Sequence, residues 1–233
     1  MVTRSDPAAV RLLSPSRPRS VTSQSPRPPK HWLPPEGLAP ADVNAIIDAA
    51  GSERDRLLLR TLWTTGARIS EVLALRPLDV HHDSLVLPNR KNPSRPIKRV
   101  FLPASAADLP GALLLFQRAQ GLGVEEPFFV SRKQSPDGQP RAMSRVQAWR
   151  IVRTASERAQ VQVLALRPSR YGQAGEPAPV HPHLFRHARA RQIVRQTKSL
   201  PLAQKQLGWS RLHLTYLSLA DEEARQLMQT VPD

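Results

Sequence analysis

Three groups of residues have the types and spacings to act on a phosphate ester. In HPHLFRHARARQIV, His183 and Arg186 are three apart, so on a helix they share a face, with His187 one residue further round. One cationic donor and one imidazole then meet one phosphate, although a solvated cationic helix carries the same letters. In TTGARISEVLAL, Arg68 follows Gly66 at the junction of two predicted helices. Its planar fork suits two hydrogen bonds to phosphoryl oxygens, or a structural bridge to Glu71 three residues on. In QLGWSRLHLTYLSLADEEARQLM, Trp209 and Tyr216 follow a glycine, a place where aromatic side chains also serve simply as core. Each group alone has a bland explanation, so the reading rests on their order and spacing. Two fixed guanidiniums with an imidazole or indole N–H favour a transition state that loads negative charge onto nonbridging oxygens, and no metal is required for that.

These residues need elements to hold them. A helix is predicted from Pro40, with Val43, Ile46 and Ile47 on one face. A second follows Ser52, with Leu58, Leu59, Leu62 and Trp63 apolar and Gly66 at its left-handed end. Ile69, Val72 and Leu73 suggest a third. Between Ser84 and Pro103, SLVLP and RVFLP read as an antiparallel pair around a polar connection. Five Lys or Arg and no acid lie between Ser84 and Ala107. Leu113, Leu114 and Phe116 suit another helix, and Val146, Trp149 and Val152 recur every three residues in a later one, with PFFV a short buried run between them. Residues 166 to 182, rich in Pro and Gly, read as a loop rather than a linker between domains, and helices resume at HPHLFRH. No internal repeat or heptad pattern is present.

Composition narrows the partner. Lys and Arg number 34 against 19 Asp and Glu, a formal charge of +15, which draws in polyanions and makes nucleic acid the leading partner. From Pro177 to Ala220 there are seven Lys or Arg and no acid. Aromatic residues are 5% of the chain, and no long amphipathic helix with aromatic anchors speaks for a membrane surface. No secretory signal and no run of ~18 apolar residues is present, so a cytoplasmic, nucleoid-associated protein is expected. Cysteine is absent, which excludes disulfides, thiolate catalysis and cysteine metal sites. Residues 1 to 37 hold eight prolines and little apolar periodicity; they are expected to form a disordered basic tail ahead of one main domain over 38–233.

The ordered set GARISEVLAL, a basic hairpin, HPHLFRHARA, QLGWS and TYLSLADEEARQL resembles the catalytic domain of the tyrosine recombinase (phage integrase) family over about residues 38 to 230. The resemblance implies an α+β fold, mainly α-helical with a small antiparallel β-sheet. It implies a site-specific DNA recombinase or integrase that cleaves and rejoins duplex DNA, needs no cofactor, and works as a tetramer on paired sites. By the same resemblance Arg68 and Arg186 are the phosphate-binding arginines, and His183 precedes the second of them. Trp209 stands where many members have a second His, and Tyr216 is the nucleophile. Lys91 in NRKN matches the hairpin lysine, with Lys98 in IKRV its rival.

In this scheme Tyr216 forms a 3′-phosphotyrosine that conserves the broken bond for rejoining. Lys91 protonates the departing 5′-oxygen, and His183 removes or orients the phenol proton. Arg90, Lys98, Arg99, His187 and Arg189 are expected to contact DNA. Two features depart from the family pattern: only the proline-rich segment stands where a helical core-binding domain is usual, and Tyr216 follows Trp209 by seven residues where nine are common. The alternatives are a type IB topoisomerase-like enzyme, a relative that binds DNA without cleaving it, and a basic scaffold or RNA-binding domain, which leaves the ordered motifs unexplained.

Overall fold

The central helix is the one buried over most of its length. In the computed structural model, which describes residues 37–131, 138, 140–164 and 176–210, α2 (Glu53–Thr65) buries Leu57, Leu58, Leu59, Thr61, Leu62, Thr64 and Thr65. From Leu57 onward only Arg60 and Trp63 are not buried, and a helix covered on nearly all sides belongs at the centre. The hydroxyls of Thr61 and Thr65 donate to the carbonyls of Leu57 and Thr61 at 2.7 and 2.6 Å, so these buried donors are satisfied. Ser52 caps the start by accepting from the Asp55 N–H at 3.2 Å, and Gly66 ends the helix at φ 57°.

α1 (Pro40–Asp48) buries Val43, Ile46 and Ile47 against α2, as the periodicity predicts. α3 (Ile69–Val72) is a single turn. α4 (Leu109–Ala119) and α6 (Pro182–Thr197) also pack on α2, while α5 (Arg145–Arg158) packs on α1, α3 and α6. α7 (Leu200–Leu207) lies against α6 and the hairpin. A main core runs through α1 to α6, and Ala190, Val194, Ala203, Leu207 and Trp209 form a second, smaller one between α6 and α7.

The predicted hairpin is present: β1 (Ser84–Pro88) pairs antiparallel with β2 (Ile97–Phe101), Leu85 opposite Val100 and Leu87 opposite Lys98. Opposed residues share a face, so Lys98 points to the core beside three buried aliphatics, while Ile97 and Phe101 face outward. Two details differ from the sequence expectations. In α5 the buried stripe is Ala148, Val152, Ala155 and Ser156, not the three-residue recurrence, because steps of three drift off a 3.6-residue face. Val146 is exposed, and Trp149 lies under the Arg153 guanidinium, 5.6 Å from its ring. The segment read as a loop ends in a short strand, β4 (Pro177–Ala178), which pairs with β3 (Val163–Leu164). Residues 1–36 of the expected tail, Tyr171 and Tyr216 lie outside the described residues.

Candidate active site

Three helix ends meet at the site. Gly66 closes α2, Arg68 opens α3 as its N-cap, and Leu207 is the last residue of α7. Carbonyls at helix C-termini lack intrahelical partners and carry partial negative charge, and Arg186 answers two of them. Its Nη1 donates to the Gly66 carbonyl at 2.8 Å and its Nη2 to the Leu207 carbonyl at 3.0 Å. The residue is almost fully buried, and the planar fork meets both oxygens as a flexible ammonium would not. Gly66 allows this approach: with φ +57°, a β-carbon there would stand 2.6 Å from Leu207 Cδ2.

Arg68 is half-buried, and its Nη1 contacts Glu71 Oε1 at 2.8 Å, so the structural bridge weighed from the sequence exists. Among the described residues, Nη2 and Nε of Arg68 have no partner. The second oxygen of Glu71, Oε2, accepts from the Arg68 backbone N–H at 2.9 Å and from Lys98 Nζ at 2.8 Å. Glu71 is wholly buried. Burial alone would raise its carboxyl pKa, but the Lys98 charge and hydrogen bond, with those from Arg68, outweigh this and hold it below the ordinary range. Lys98 also donates to the Leu207 carbonyl at 3.1 Å. The expectation that Lys98 contacts DNA therefore meets a buried ammonium with two internal partners.

α6 presents its imidazoles at the same place. His183 and His187, one turn apart, meet edge to face with ring centroids 4.4 Å apart. His183 is exposed, and His187 is half-buried. The surrounding protein, then the positive charge of Arg186, with His181, Arg68 and Lys91, holds the pKa of His183 down to about 4. Burial, with His183 and Arg191 next, brings His187 to about 3. At neutral pH both rings are therefore neutral and able to accept a proton. Trp209 is buried in the α6–α7 core directly after Gly208. The β1–β2 connection carries exposed Arg90 and Lys91 and is closed by the Asn89 N–H on the Pro96 carbonyl at 2.6 Å.

The structure thus brings together Arg68, Arg186, His183, His187, Lys98 and Trp209, with Lys91 close enough for its charge to act on His183. Arg99 is exposed on the outer face of β2. Arg189 turns away, its guanidinium 5.6 Å from the Trp63 ring and its Nη1 on Gln192. Glu71 was legible only as a partner of Arg68, and nothing local in the sequence signals its bond to Lys98. Also missed were Arg141, Arg145 and Arg150, which with Arg90 line a cleft of about 750 Å3 beside Ser70 that has no acid among its described lining residues. Among the described residues no helix is long and apolar enough to cross a membrane.

Residues 36–223 match the model of the phage integrase family. The chain is 28% identical over 222 residues to the tyrosine recombinase XerD of Ralstonia nicotianae, covering 91% of this chain and 63% of that protein. It is 24% identical over 205 residues to transposase A from transposon Tn554 of Staphylococcus aureus, covering 81% of this chain and 50% of the relative. It therefore spans between half and two thirds of the length of these relatives. In fold it is similar to the crystal structure of XerA recombinase (TM-score 0.62, 20% identity, 85% of this chain and 66% of that one). It is similar also to the lambda integrase catalytic core (TM-score 0.51, 18% identity, 76% and 98%).

Proposed function

The chain belongs to the phage integrase family, and on that premise we propose that it is a site-specific DNA recombinase that cleaves and rejoins duplex DNA through a 3′-phosphotyrosine on Tyr216. The observation that carries the reading is the convergence of Arg68 and Arg186. Each comes from a different part of the chain, and both act electrostatically on His183 and on Lys98. Two guanidiniums at one point are donors for the nonbridging oxygens of a phosphodiester, where charge accumulates as the phenol attacks. Neutral His183 takes or orients the phenol proton. Lys91, exposed on the hairpin loop, protonates the departing 5′-oxygen. Trp209 packs the floor on which this geometry rests.

Residues 38–233 form the catalytic domain in this reading, preceded by a basic tail. The cleft lined by Arg90, Arg141, Arg145 and Arg150 takes backbone phosphates flanking the scissile one. Recombination joins two DNA sites, so the working species is a tetramer on paired sites, in the compartment that holds the DNA. The test is a suicide substrate carrying the chain's own site. Wild-type protein is expected to become covalently attached to one strand. Tyr216→Phe keeps the ring and loses the phenolic oxygen, so adduct is expected to vanish while DNA affinity changes little. An adduct that persists in Tyr216→Phe moves the nucleophile to Tyr171. No adduct from wild type on a validated site makes the protein a DNA-binding relative, for which the seven-residue Trp209 to Tyr216 spacing is the motive. Relaxation of plasmid lacking that site points to the topoisomerase-like alternative.

A further inference from the structure

Lys98 is the buried titratable group that the proposed chemistry leaves unused. Its position is costly. It stands on the core face of β2 where the pleat places an aliphatic residue, and a buried ammonium requires compensation. That compensation comes from two acceptors, Oε2 of Glu71 at 2.8 Å and the carbonyl of Leu207 at 3.1 Å. Both are anchors of the two arginines: Glu71 holds Arg68, and the Leu207 carbonyl holds Arg186. A single ammonium therefore touches the supports of both.

We propose that Lys98 is a positioning residue of the cleavage site, whose ammonium occupies one oxygen of Glu71 and so limits that carboxylate to a one-point side-chain contact with Arg68, leaving the remaining guanidinium donors for phosphate. The inference rests on the recombinase reading above for its functional consequence. Its physical basis is the division of one carboxylate. An Arg and a carboxylate left to themselves favour a two-point fork, which would turn both Nη groups of Arg68 inward. Here Oε2 is taken by Lys98 and the Arg68 backbone N–H, and only Oε1 remains for the guanidinium.

Charge gives the same answer as geometry. Arg68, Lys98 and Glu71 sum to one positive charge. Without Lys98 the sum is zero, and stabilisation of the extra charge that develops on the scissile phosphate in the transition state falls accordingly. The groups facing the Lys98 ammonium are Glu71 and Arg68 around α3, Arg186 from α6 and the Leu207 carbonyl from α7. Burial lowers its pKa first, Glu71 works against that, and Arg186 and Arg68 lower it further, to about 8. The arrangement is narrow. Lys98 passes beneath Gly208, where a β-carbon would lie 2.8 Å from Lys98 Cδ.

The experiment compares wild type, Lys98→Met and the double variant Lys98→Met/Glu71→Gln. Each is assayed for single-turnover cleavage, DNA affinity and melting temperature, with oxygen and 5′-bridging-sulfur substrates. Lys98→Met is expected to cleave on the order of 10-fold or more slowly with affinity little changed. The sulfur leaving group is not expected to rescue it, because Lys98 donates no proton to the leaving oxygen. The double variant, which again leaves Arg68 with one net positive charge, is expected to recover most of the rate. Wild-type cleavage is expected to fall as pH rises through about 8, and the double variant to lose that fall. Wild-type rates in Lys98→Met overturn the proposal, as do rescue by sulfur or a folded double variant no faster than the single one.

A readout independent of cleavage separates this proposal from the recombinase reading. In lysine 13Cε NMR of the free protein, one resonance is expected to titrate near pH 8, to be absent in Lys98→Met, and to titrate at lower pH in Glu71→Gln. A Lys98 midpoint that Glu71→Gln does not move overturns the pairing. Failure of wild type to form an adduct overturns the function instead.

Discussion

At the residue scale the chemistry divides among side chains by what each is free to do. Arg186 spends two donors on helix-end carbonyls, so Arg186→Ala removes a structural fork along with a charge. The Leu207 carbonyl keeps Lys98 as a donor, but the Gly66 carbonyl loses its Arg186 donor, and a buried acceptor left unpaired out of reach of water is expected to cost about 1–3 kcal/mol. Arg68 has one side-chain partner, and its replacement is the cleaner test. Arg68→Ala is expected to slow cleavage by roughly 100-fold or more, in the manner of a lost oxyanion donor, with a smaller loss of DNA affinity. Equal losses in rate and affinity would assign Arg68 to anchoring alone. Lys91→Ala is expected to be rescued by a 5′-bridging phosphorothioate, whose leaving group needs no proton, and Arg68→Ala is not. Because the proposed site stabilises charge with arginines, cleavage is expected to survive thorough chelation; strict dependence on added magnesium would refute that.

At the element scale the site is a junction of helix ends, and its weak points are the residues that close them. Gly208 sits at φ 67° after α7 with Lys98 and Asn89 pressed beneath it. Gly208→Ala is expected to destabilise the protein by about 1–2 kcal/mol from the left-handed backbone alone. Displacement of Lys98 is expected to slow cleavage beyond what the melting temperature accounts for. α6 carries a second signature. The pKa values of His183 and His187 are held at about 4 and about 3, below the ordinary imidazole value, so between those values and about 6.5 the unfolded chain binds protons that the folded chain excludes. Stability is thus fully present above about 6.5 and is lost as pH falls through that window. Melting curves from pH 7 to pH 4 are expected to shift downward, and less steeply for His187→Gln; identical slopes would place the acid sensitivity elsewhere.

At the scale of the whole molecule, the +15 balance acts as a field rather than as a site. DNA binding is expected to weaken steeply with salt, because each phosphate neutralised releases condensed counterions. Removing residues 1–36 is expected to lower affinity and make that dependence shallower, whereas an unchanged salt slope means that the tail makes no phosphate contacts. Replacing Arg141, Arg145 and Arg150 together by Gln is expected to do the same and to leave cleavage of bound DNA nearly intact. A fall in single-turnover rate at saturating protein would instead assign the cleft to the reaction itself.

Much of this was legible in the sequence because it is local. Ser52, the leucines of α2 and Gly66 spell a capped buried helix; HPHLFRH places His183 and Arg186 on one face; SLVLP and RVFLP read as paired strands. Such signals depend on neighbours within a few residues, whose physics is periodicity, capping and backbone preference. Tertiary structure alone decided which face of β2 turns inward. In IKRVF both alternations look possible, Ile97 with Phe101 or Lys98 with Val100, and the set with Ile97 and Phe101 is the one left outside. The inward choice places Lys98 against Glu71 and the Leu207 carbonyl, since a buried carboxylate and a helix-end oxygen with a second lone pair to fill favour a cation over an apolar contact. No local pattern carries such information, because partners distant in sequence become neighbours only when α3, β2 and α7 are packed together.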